Sequence, residues 1–171
     1  MSGGTNSVPT LVACGDHEAL AGWPEAAAAR GWVWTTAEGA EALSDREAGS
    51  RLEAALVAAD GAPRILIGAG PGGTRAFLHA CRSRVVDAVV LVDAPLVLED
   101  LSQGMPVQPL EMSLNLEAPA LVLDREETDE REAIAARLDP FAKPWDADRC
   151  QGLPADLERV ARFLADYLDI E

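Results

Sequence analysis

The sequence has few residues of the types that mark several common classes of protein. It carries 14 basic against 29 acidic residues, a net charge of −15, which disfavours binding to nucleic acid and to anionic membrane surfaces. Its three cysteines, Cys14, Cys81 and Cys150, are far apart, so the spacing excludes a disulfide framework and a zinc pattern. They predict free thiols in a reducing compartment, and the expected location is the cytoplasm.

Long apolar stretches are also absent. No run reaches the roughly 18 residues that cross a membrane. Residues 1–7 are polar, rich in Gly and Ser, and lack the features of a signal peptide. The chain has 171 residues, 49% of them hydrophobic and 25% charged, which is typical of one globular domain. We therefore expect a flexible tail at 1–7 and a single domain at 8–171.

What the sequence does have is an alternation of short apolar runs with helical patterns. This alternation predicts an α/β fold, a three-layer α/β/α sandwich around a mostly parallel sheet of about six strands. The run at 85–92 is almost continuously β-branched, which indicates a central strand buried on both faces. The predicted strands are 8–14, 32–36, 64–67, 85–92, 118–123 and a weak edge strand at 142–148.

Helix signals fill the intervals between these strands. Pro24 suits a first helical turn and Gly31 the end of that helix. Ser44 and Glu47 form a capping box before a second helix. Further helices are predicted from the glycine turn to about residue 83, at 130–138 and at 154–168. The irregular segment 98–116 is interpreted as a short lid, a contact surface or a plain surface loop.

A glycine-rich turn, GAGPGG at 68–73, joins the third predicted strand to its helix and has two interpretations. Gly68, Gly70 and Gly73 match the dinucleotide fingerprint G-x-G-x-x-G, with Asp93 following where the ribose-binding acid would stand. Gly68 and Gly72 also match the outer glycines of the nucleophile elbow G-x-S-x-G, with Gly70 in place of serine. In nucleotide-binding proteins the fingerprint normally follows the first strand, whereas two strands precede it here.

The segments around the turn resemble the α/β-hydrolase superfamily, in particular its small, capless, dienelactone-hydrolase-like members. LVACGDH at 11–17 is similar to the first strand and oxyanion loop, and GWVW at 31–34 to the next strand. VVLVDAP at 89–95 looks like the strand after the elbow helix, and APALVL at 118–123 like the strand before the catalytic acid. The resemblance covers about residues 8–168 and implies a minimal α/β-hydrolase-like fold.

The resemblance also implies which positions would carry catalysis. Acyl transfer on this fold needs a nucleophile, a histidine base, an orienting acid and two backbone N–H donors. Gly70 stands at the nucleophile position and has no side chain. Pro71 stands where one oxyanion donor is needed, and proline has no N–H. These positions are therefore interpreted as vestigial.

The base and acid positions of the resemblance are also altered. Arg149 stands closest to where the histidine is expected, and Asp124 and Asp129 are the two options for the acid. His17 follows the first strand at the mouth of the expected pocket. His79 lies inside the elbow helix and is interpreted as a packing residue.

We expect a hydrolase-like protein that is catalytically inactive and binds a small molecule or a protein partner. The alternatives are an active hydrolase with a non-standard nucleophile and a Rossmann-type module that binds FAD or NAD through GAGPGG. No metal or cofactor is expected, and a homodimer remains open. One further prediction is that Arg149 pairs with Asp124 or Asp93 and plugs the pocket. The candidate binding residues are Asp16, His17, Gly70, Gly72, Asp93 and Arg149.

Overall fold

The structure is a computed structural model that describes residues 8–15, 18–59, 63–94, 116–126, 145–168 and 170. Within these residues, six strands and four α-helices follow one another along the chain. The strands are β1 Thr10–Gly15, β2 Val33–Thr36, β3 Arg64–Ala69, β4 Ala88–Val92, β5 Ala120–Asp124 and β6 Trp145–Arg149. The helices are α1 Trp23–Ala29, α2 Asp45–Ala58, α3 Pro71–Ala80 and α4 Ala155–Leu168, with a 3-10 turn at Ala40–Ala42.

The six strands form one sheet in the order β2-β1-β3-β4-β5-β6, and every neighbouring pair is parallel. All residues of β1, β4 and β5 are buried, as a sheet covered on both faces requires. Strand β6 lies at one edge and is partly exposed, which confirms the edge position predicted from its polar sequence. The prediction of a three-layer α/β fold is confirmed.

Side chains alternate between the two faces of the sheet, and each face has its own core. On one face, Val12, Leu66 and Val122 pack with Phe77 of α3 and Leu52 of α2. The other face packs against helices α1 and α4 and buries Leu11, Ile67, Val90, Trp23 and Phe163. Helix α2 packs against this core through an apolar stripe, with Ala48, Leu52 and Leu56 buried and Ala55 and Ala59 packed at its border.

The signals predicted at the start of α2 and at the end of α1 are confirmed. The Ser44 hydroxyl accepts the backbone N–H of Glu47 at 3.4 Å and donates to its carboxylate at 2.8 Å. The Glu47 carboxylate therefore meets the Ser44 side chain, a variant of the predicted capping box. Gly31 follows the end of α1 with a φ of 79°, the left-handed conformation that favours glycine there.

The predicted start of β4 and the predicted end of α3 were both wrong by about one helical turn or less. Strand β4 begins at Ala88 and not at residue 85, because Asp87 ends the preceding turn. Its carboxylate accepts the N–H of Arg64 at 2.7 Å, and its own N–H donates to the Arg64 carbonyl at 2.9 Å. Helix α3 ends at Ala80 rather than 83, because the N–H groups of Arg82 and Ser83 both turn back to the His79 carbonyl.

Several predictions lie outside the described residues, namely the tail at 1–7, the segment 98–116 up to residue 115 and the helix at 130–138. None of the helices described is long and apolar enough to cross a membrane.

Candidate functional site

The sheet order defines where a site would lie. From β1 the chain passes to β2 on one side and then returns to β3 on the other side. Such a switch point opens a crevice beyond the carboxyl ends of the two strands, where ligands bind in open α/β sheets. The glycine turn follows β3 directly, so it lies at this crevice.

The turn at Gly70 is a sharp junction between a strand and a helix. β3 ends at Ala69 and α3 begins at Pro71, so Gly70 alone makes the change of direction. Its backbone has φ 54° and ψ −138°, a conformation that residues with a Cβ adopt only under strain. Its N–H donates to the Val92 carbonyl at 3.3 Å, which ties the turn to the end of β4.

The outer glycines are required by close packing around this junction. A Cβ on Gly68 would lie 2.7 Å from both Ala76 Cβ and Gly73 Cα, so α3 can approach β3 only because residue 68 is glycine. A Cβ on Gly72 would overlap the Gly15 Cα at the end of β1. Gly68 and Gly72 are therefore what let α3 dock over the strand ends.

These features give the turn the geometry of a nucleophile elbow, a strained strand-to-helix turn whose central residue projects into the crevice. The central residue is Gly70, and Pro71 is the first helical residue after it. The N–H of Gly73 donates to the Gly70 carbonyl at 2.9 Å, which closes the first turn of the helix. Residue 70 therefore offers no side chain to the crevice, and residue 71 offers no N–H.

Asp93 ends β4 beside this turn, with a positive φ of 50° that is uncommon for a residue other than glycine. Its N–H donates to the Leu123 carbonyl at 2.7 Å. Its carboxylate accepts the backbone N–H of Arg125 at 3.3 Å and lies 3.5 Å from the guanidinium Nε. Asp93 thus forms its described ion pair with Arg125. The predicted pairing of Asp93 with Arg149 is wrong.

Two further predicted positions come together at the ends of β5 and β6. Asp124 and Arg149 are register partners across the parallel ladder. Asp124 is buried, with 8% of its surface exposed, whereas Arg149 is exposed. The Cys150 N–H donates to the Asp124 carbonyl at 2.9 Å, so Cys150 stands next to the acid position. Asp16, His17 and Asp129 lie outside the described residues.

The loop after β6, where the resemblance expects a histidine, is held by an aspartate that the sequence reasoning missed. The Asp156 carboxylate accepts the N–H of Gln151 at 2.7 Å and that of Gly152 at 3.0 Å, and the residue is only 6% exposed. Its place in the first turn of α4 is a sequence signal of capping that could have identified it. Cys150, Gln151 and Gly152 therefore occupy a fixed loop.

Carboxylates surround the Cys150 thiol. Burial raises its pKa to about 11, with the charges of Asp156, Asp93 and Asp124 adding to the effect against a small opposing contribution from Arg125. A thiol with a raised pKa stays protonated at neutral pH and is a poor nucleophile. The setting of Cys150 therefore opposes a cysteine-based activity.

We expect alkylation of Cys150 by iodoacetamide to be slow at pH 7.5. Because only the thiolate reacts, the rate should rise about tenfold for each pH unit until the pH approaches 11. Peptide mass spectrometry of pulse-labelled protein would follow Cys150 separately from Cys81, whose pKa burial raises to about 12. A rate that levels off below pH 8 would show an activated thiol and contradict this description.

His79 lies far from the elbow end of α3 and has a packing role, as predicted. Its Nε2 is 2.7 Å from the Glu53 carboxylate of α2, and only 10% of its side chain is exposed. Ser83 donates a second hydrogen bond to the same carboxylate oxygen at 2.9 Å. This histidine therefore joins α2 to α3 and is not a part of the crevice.

Within the described residues, no group of three or more His, Cys, Asp and Glu side chains is arranged to hold a metal ion. The strand order also differs from the dinucleotide-binding order 3-2-1-4-5-6, in which the fingerprint follows the central first strand. The present order is compatible both with hydrolases and with flavodoxin-like sheets, whose order is 2-1-3-4-5.

Comparison with known proteins identifies the fold. No family profile and no curated protein sequence matches the chain. Among solved structures, a protein from Klebsiella pneumoniae assigned as a dienelactone hydrolase superposes with a TM-score of 0.68 at 16% identity, over 98% of this chain and 89% of the other. A structure from work on the metagenome-derived lipolytic enzymes LipS and LipT gives 0.65 at 15% identity, over 94% of both chains.

An esterase from Pyrococcus furiosus gives a TM-score of 0.62 at 14% identity, over 94% of this chain and 82% of the other. Identities this low show the fold alone. The chain has a small α/β-hydrolase-like fold, and the fold predicted from the sequence is confirmed.

Proposed function

We propose that this protein is a non-catalytic member of the α/β-hydrolase-like fold whose crevice binds a small molecule or a protein partner. The observation that carries the proposal is the pair Gly70 and Pro71 at the elbow. The turn has the backbone geometry that presents a nucleophile, and the residue it presents has no side chain. Gly70 cannot supply the attacking atom of acyl transfer, and Pro71 cannot supply an N–H donor for the oxyanion.

The first requirement is the attacking group. Nucleophilic catalysis needs an oxygen or sulfur atom at the elbow, and no rotamer or proton transfer can supply one from glycine. Cys150 stands next to the acid position, and the raised pKa of its thiol works against attack.

The second requirement is stabilisation of the oxyanion. The residue after the nucleophile donates one of the two N–H groups, and the loss of one such donor costs about 10²–10³ in rate. Pro71 has no N–H, so a nucleophile placed at residue 70 would still face an incomplete oxyanion hole. The end of β6, where a base is expected, carries the exposed Arg149.

The charged side chains at the crevice are suited to binding a ligand or a partner. Asp93, Asp124 and Arg125 bring two negative charges and one positive charge to adjacent strand ends. Such a set can orient a polar ligand or a basic side chain of a partner by hydrogen bonds and charge.

Hydrolysis of short p-nitrophenyl esters tests this proposal. We expect the purified protein to release p-nitrophenol no faster than a control reaction that contains the same protein after denaturation. Saturable turnover above that background, abolished by one point substitution outside the elbow, would contradict the proposal and support the active-hydrolase alternative.

A second expected result concerns Gly70→Ser. We expect this variant to remain inactive, because Pro71 still lacks an N–H and Arg149 stands where a base is expected. It should also lose about 1–3 kcal/mol of stability, because serine is strained at φ 54° and ψ −138°. Gly31→Ser is the matched control, since Gly31 has φ 79° and open space around it, and should lose about 1 kcal/mol. Denaturant unfolding of both variants measures the difference. A smaller loss in Gly70→Ser than in Gly31→Ser would show that the elbow is not strained.

A further inference from the structure

Strand β2 forms one edge of the sheet, and no described strand lies beyond it. In its parallel ladder with β1, the N–H of Val33 donates to the Pro9 carbonyl at 3.1 Å. Successive residues of a strand direct their backbone groups to opposite sides, so the N–H and C=O groups of Trp34 and Thr36 point away from β1. We call this outward row of backbone groups the β2 edge.

The β2 edge lacks the features that keep most sheet edges from pairing, which are charged side chains, prolines and bulges. The strand has the sequence VWTT and pairs with β1 in an unbroken register. Val33 has 51% of its surface exposed, and Trp34 is only partly buried. On a chain with a net charge of −15, a strand without charge is a surface that a second, equally acidic copy can approach.

The opposite edge of the sheet has the protection that β2 lacks. Strand β6 carries Asp146 and Asp148, and antiparallel pairing of two β6 strands about Ala147 would place Asp146 opposite the partner's Asp148. Like charges directly opposite each other destabilise a sheet. The charges of β6 therefore oppose self-pairing, whereas the sequence of β2 does not.

Antiparallel pairing of two β2 edges about Thr35 satisfies the outward backbone groups. Trp34 and the partner's Thr36 then exchange both of their backbone hydrogen bonds, and the two-fold axis repeats this pair. On one face of the joined sheet Trp34 lies beside the partner's Thr36, and on the other face the two Thr35 side chains meet. Aromatic residues opposite β-branched ones and two opposed threonines are favourable cross-strand pairs.

The charges at the two ends of β2 fit the same register. Arg30 precedes the strand, forms an ion pair with Glu158 and lies over the Trp32 ring at 5.5 Å. Glu38 follows the strand and is exposed, and its carboxylate has no hydrogen bond or ion pair among the described residues. With Thr35 on the axis, position 38 of one copy stands opposite position 32 of the other. Each Glu38 therefore comes alongside the partner's Arg30, and the charges are complementary.

From this arrangement we infer that two copies of the chain form a symmetric dimer by antiparallel pairing of their β2 edges, which joins the two sheets into one. The paired strand has 4 residues and buries little surface, so the dissociation constant lies in the micromolar range. The pairing uses no residue of the elbow or of the charged set at the crevice, so the inference does not depend on the function proposed above.

Sedimentation velocity over a protein concentration range of about 1–100 μM tests the inference. We expect the parent chain to pass from monomer to dimer across this range. Thr36→Pro removes an outward N–H from each copy and should weaken the dimer at least tenfold. Ala147→Pro is the matched control on the exposed β6 edge. Its N–H also points outward, because that of Cys150 donates to β5, and this variant should dimerise as the parent does.

A second variant, Glu38→Lys, leaves the backbone of the edge intact. It places a lysine beside the partner's Arg30 and should weaken the dimer about three- to tenfold, with a smaller effect at high salt. Asp166→Lys makes the same change of charge at an exposed position on α4 and should not weaken the dimer. Circular dichroism reports whether each variant is folded; if Thr36→Pro is not, Glu38→Lys decides the test.

Three outcomes would overturn the inference. One is a parent chain that stays monomeric up to about 100 μM. Another is a dimer that neither Thr36→Pro nor Glu38→Lys weakens. The third is a dimer that Ala147→Pro disrupts as strongly as Thr36→Pro, because the two copies would then not meet specifically through β2.

Discussion

Replacing Gly72 by alanine should lower the free energy of unfolding by about 3 kcal/mol or more. The new Cβ would overlap the Gly15 Cα and lie 2.5 Å from the Gly15 nitrogen and 2.6 Å from the Cys14 carbonyl carbon. All three are backbone atoms of β1 that no rotamer change can move. Helix α3 must therefore shift away from the sheet, which is the overpacking that core substitutions make costly.

Thermal unfolding measures this effect directly. For a chain of this length, a loss of 3 kcal/mol lowers the melting temperature by about 6–12 °C. Gly49→Ala is the matched control because it adds the same methyl group to a helical glycine. It should raise stability by about 0.5–1 kcal/mol, since its Cβ meets only the His79 ring at 3.5 Å. A large loss of stability at Gly72 and a small gain at Gly49 would separate the effect of backbone contact from that of helix propensity.

If Gly72→Ala folds with parental stability, α3 does not pack against the end of β1 as described. The elbow geometry would then be wrong, and with it the assignment of Gly70 to the position of the nucleophile.

Asp156→Ala should cost about 3 kcal/mol. Its carboxylate accepts two backbone N–H groups, from Gln151 and Gly152, and both would be left without this partner in a partly buried loop. Hydrogen bonds to a charged group contribute about 1.5–3 kcal/mol each, and the loss of the helix-dipole interaction adds to this. Asp156→Asn keeps one acceptor oxygen and should lose roughly half as much.

A second measurement distinguishes this capping role from a general packing role. The charge of Asp156 is one cause of the raised pKa of Cys150, so its removal should lower that pKa and speed alkylation at pH 8. Asp166→Ala, at an exposed position on the same helix, should change stability by less than about 0.5 kcal/mol and leave the labelling rate unchanged. Unchanged stability in Asp156→Ala would contradict the described loop.

The sequence predicted the fold because its signals are local and repeated. The apolar runs of β1, β3, β4 and β5, the Ser44 cap and the stripe of α2 each follow from residue spacing. The start of β4 was misplaced because Val85 has strand propensity, while the Asp87 side chain fixes the turn through a contact with Arg64, 23 residues earlier. Local secondary-structure propensity does not depend on a contact between residues this far apart in sequence, so this turn could not be predicted.

The candidate site was only partly predictable. Gly70 and Pro71 could be placed because the elbow is a contiguous motif. Asp93, Asp124 and Arg149 could be placed because the ends of the strands can be recognised in the sequence. The sequence did not reveal that Arg125 pairs with Asp93 or that Asp156 holds the loop after β6, since both contacts join separate elements.

The central claim is that the elbow presents no nucleophile. Incubation with a fluorophosphonate probe, followed by intact-protein mass spectrometry, tests it most directly, with an active serine esterase in a parallel reaction as the positive control. The account predicts that the esterase gains one phosphonyl adduct while this protein keeps its unmodified mass. A stoichiometric adduct on a single side chain of this protein would show a working nucleophile and contradict the claim.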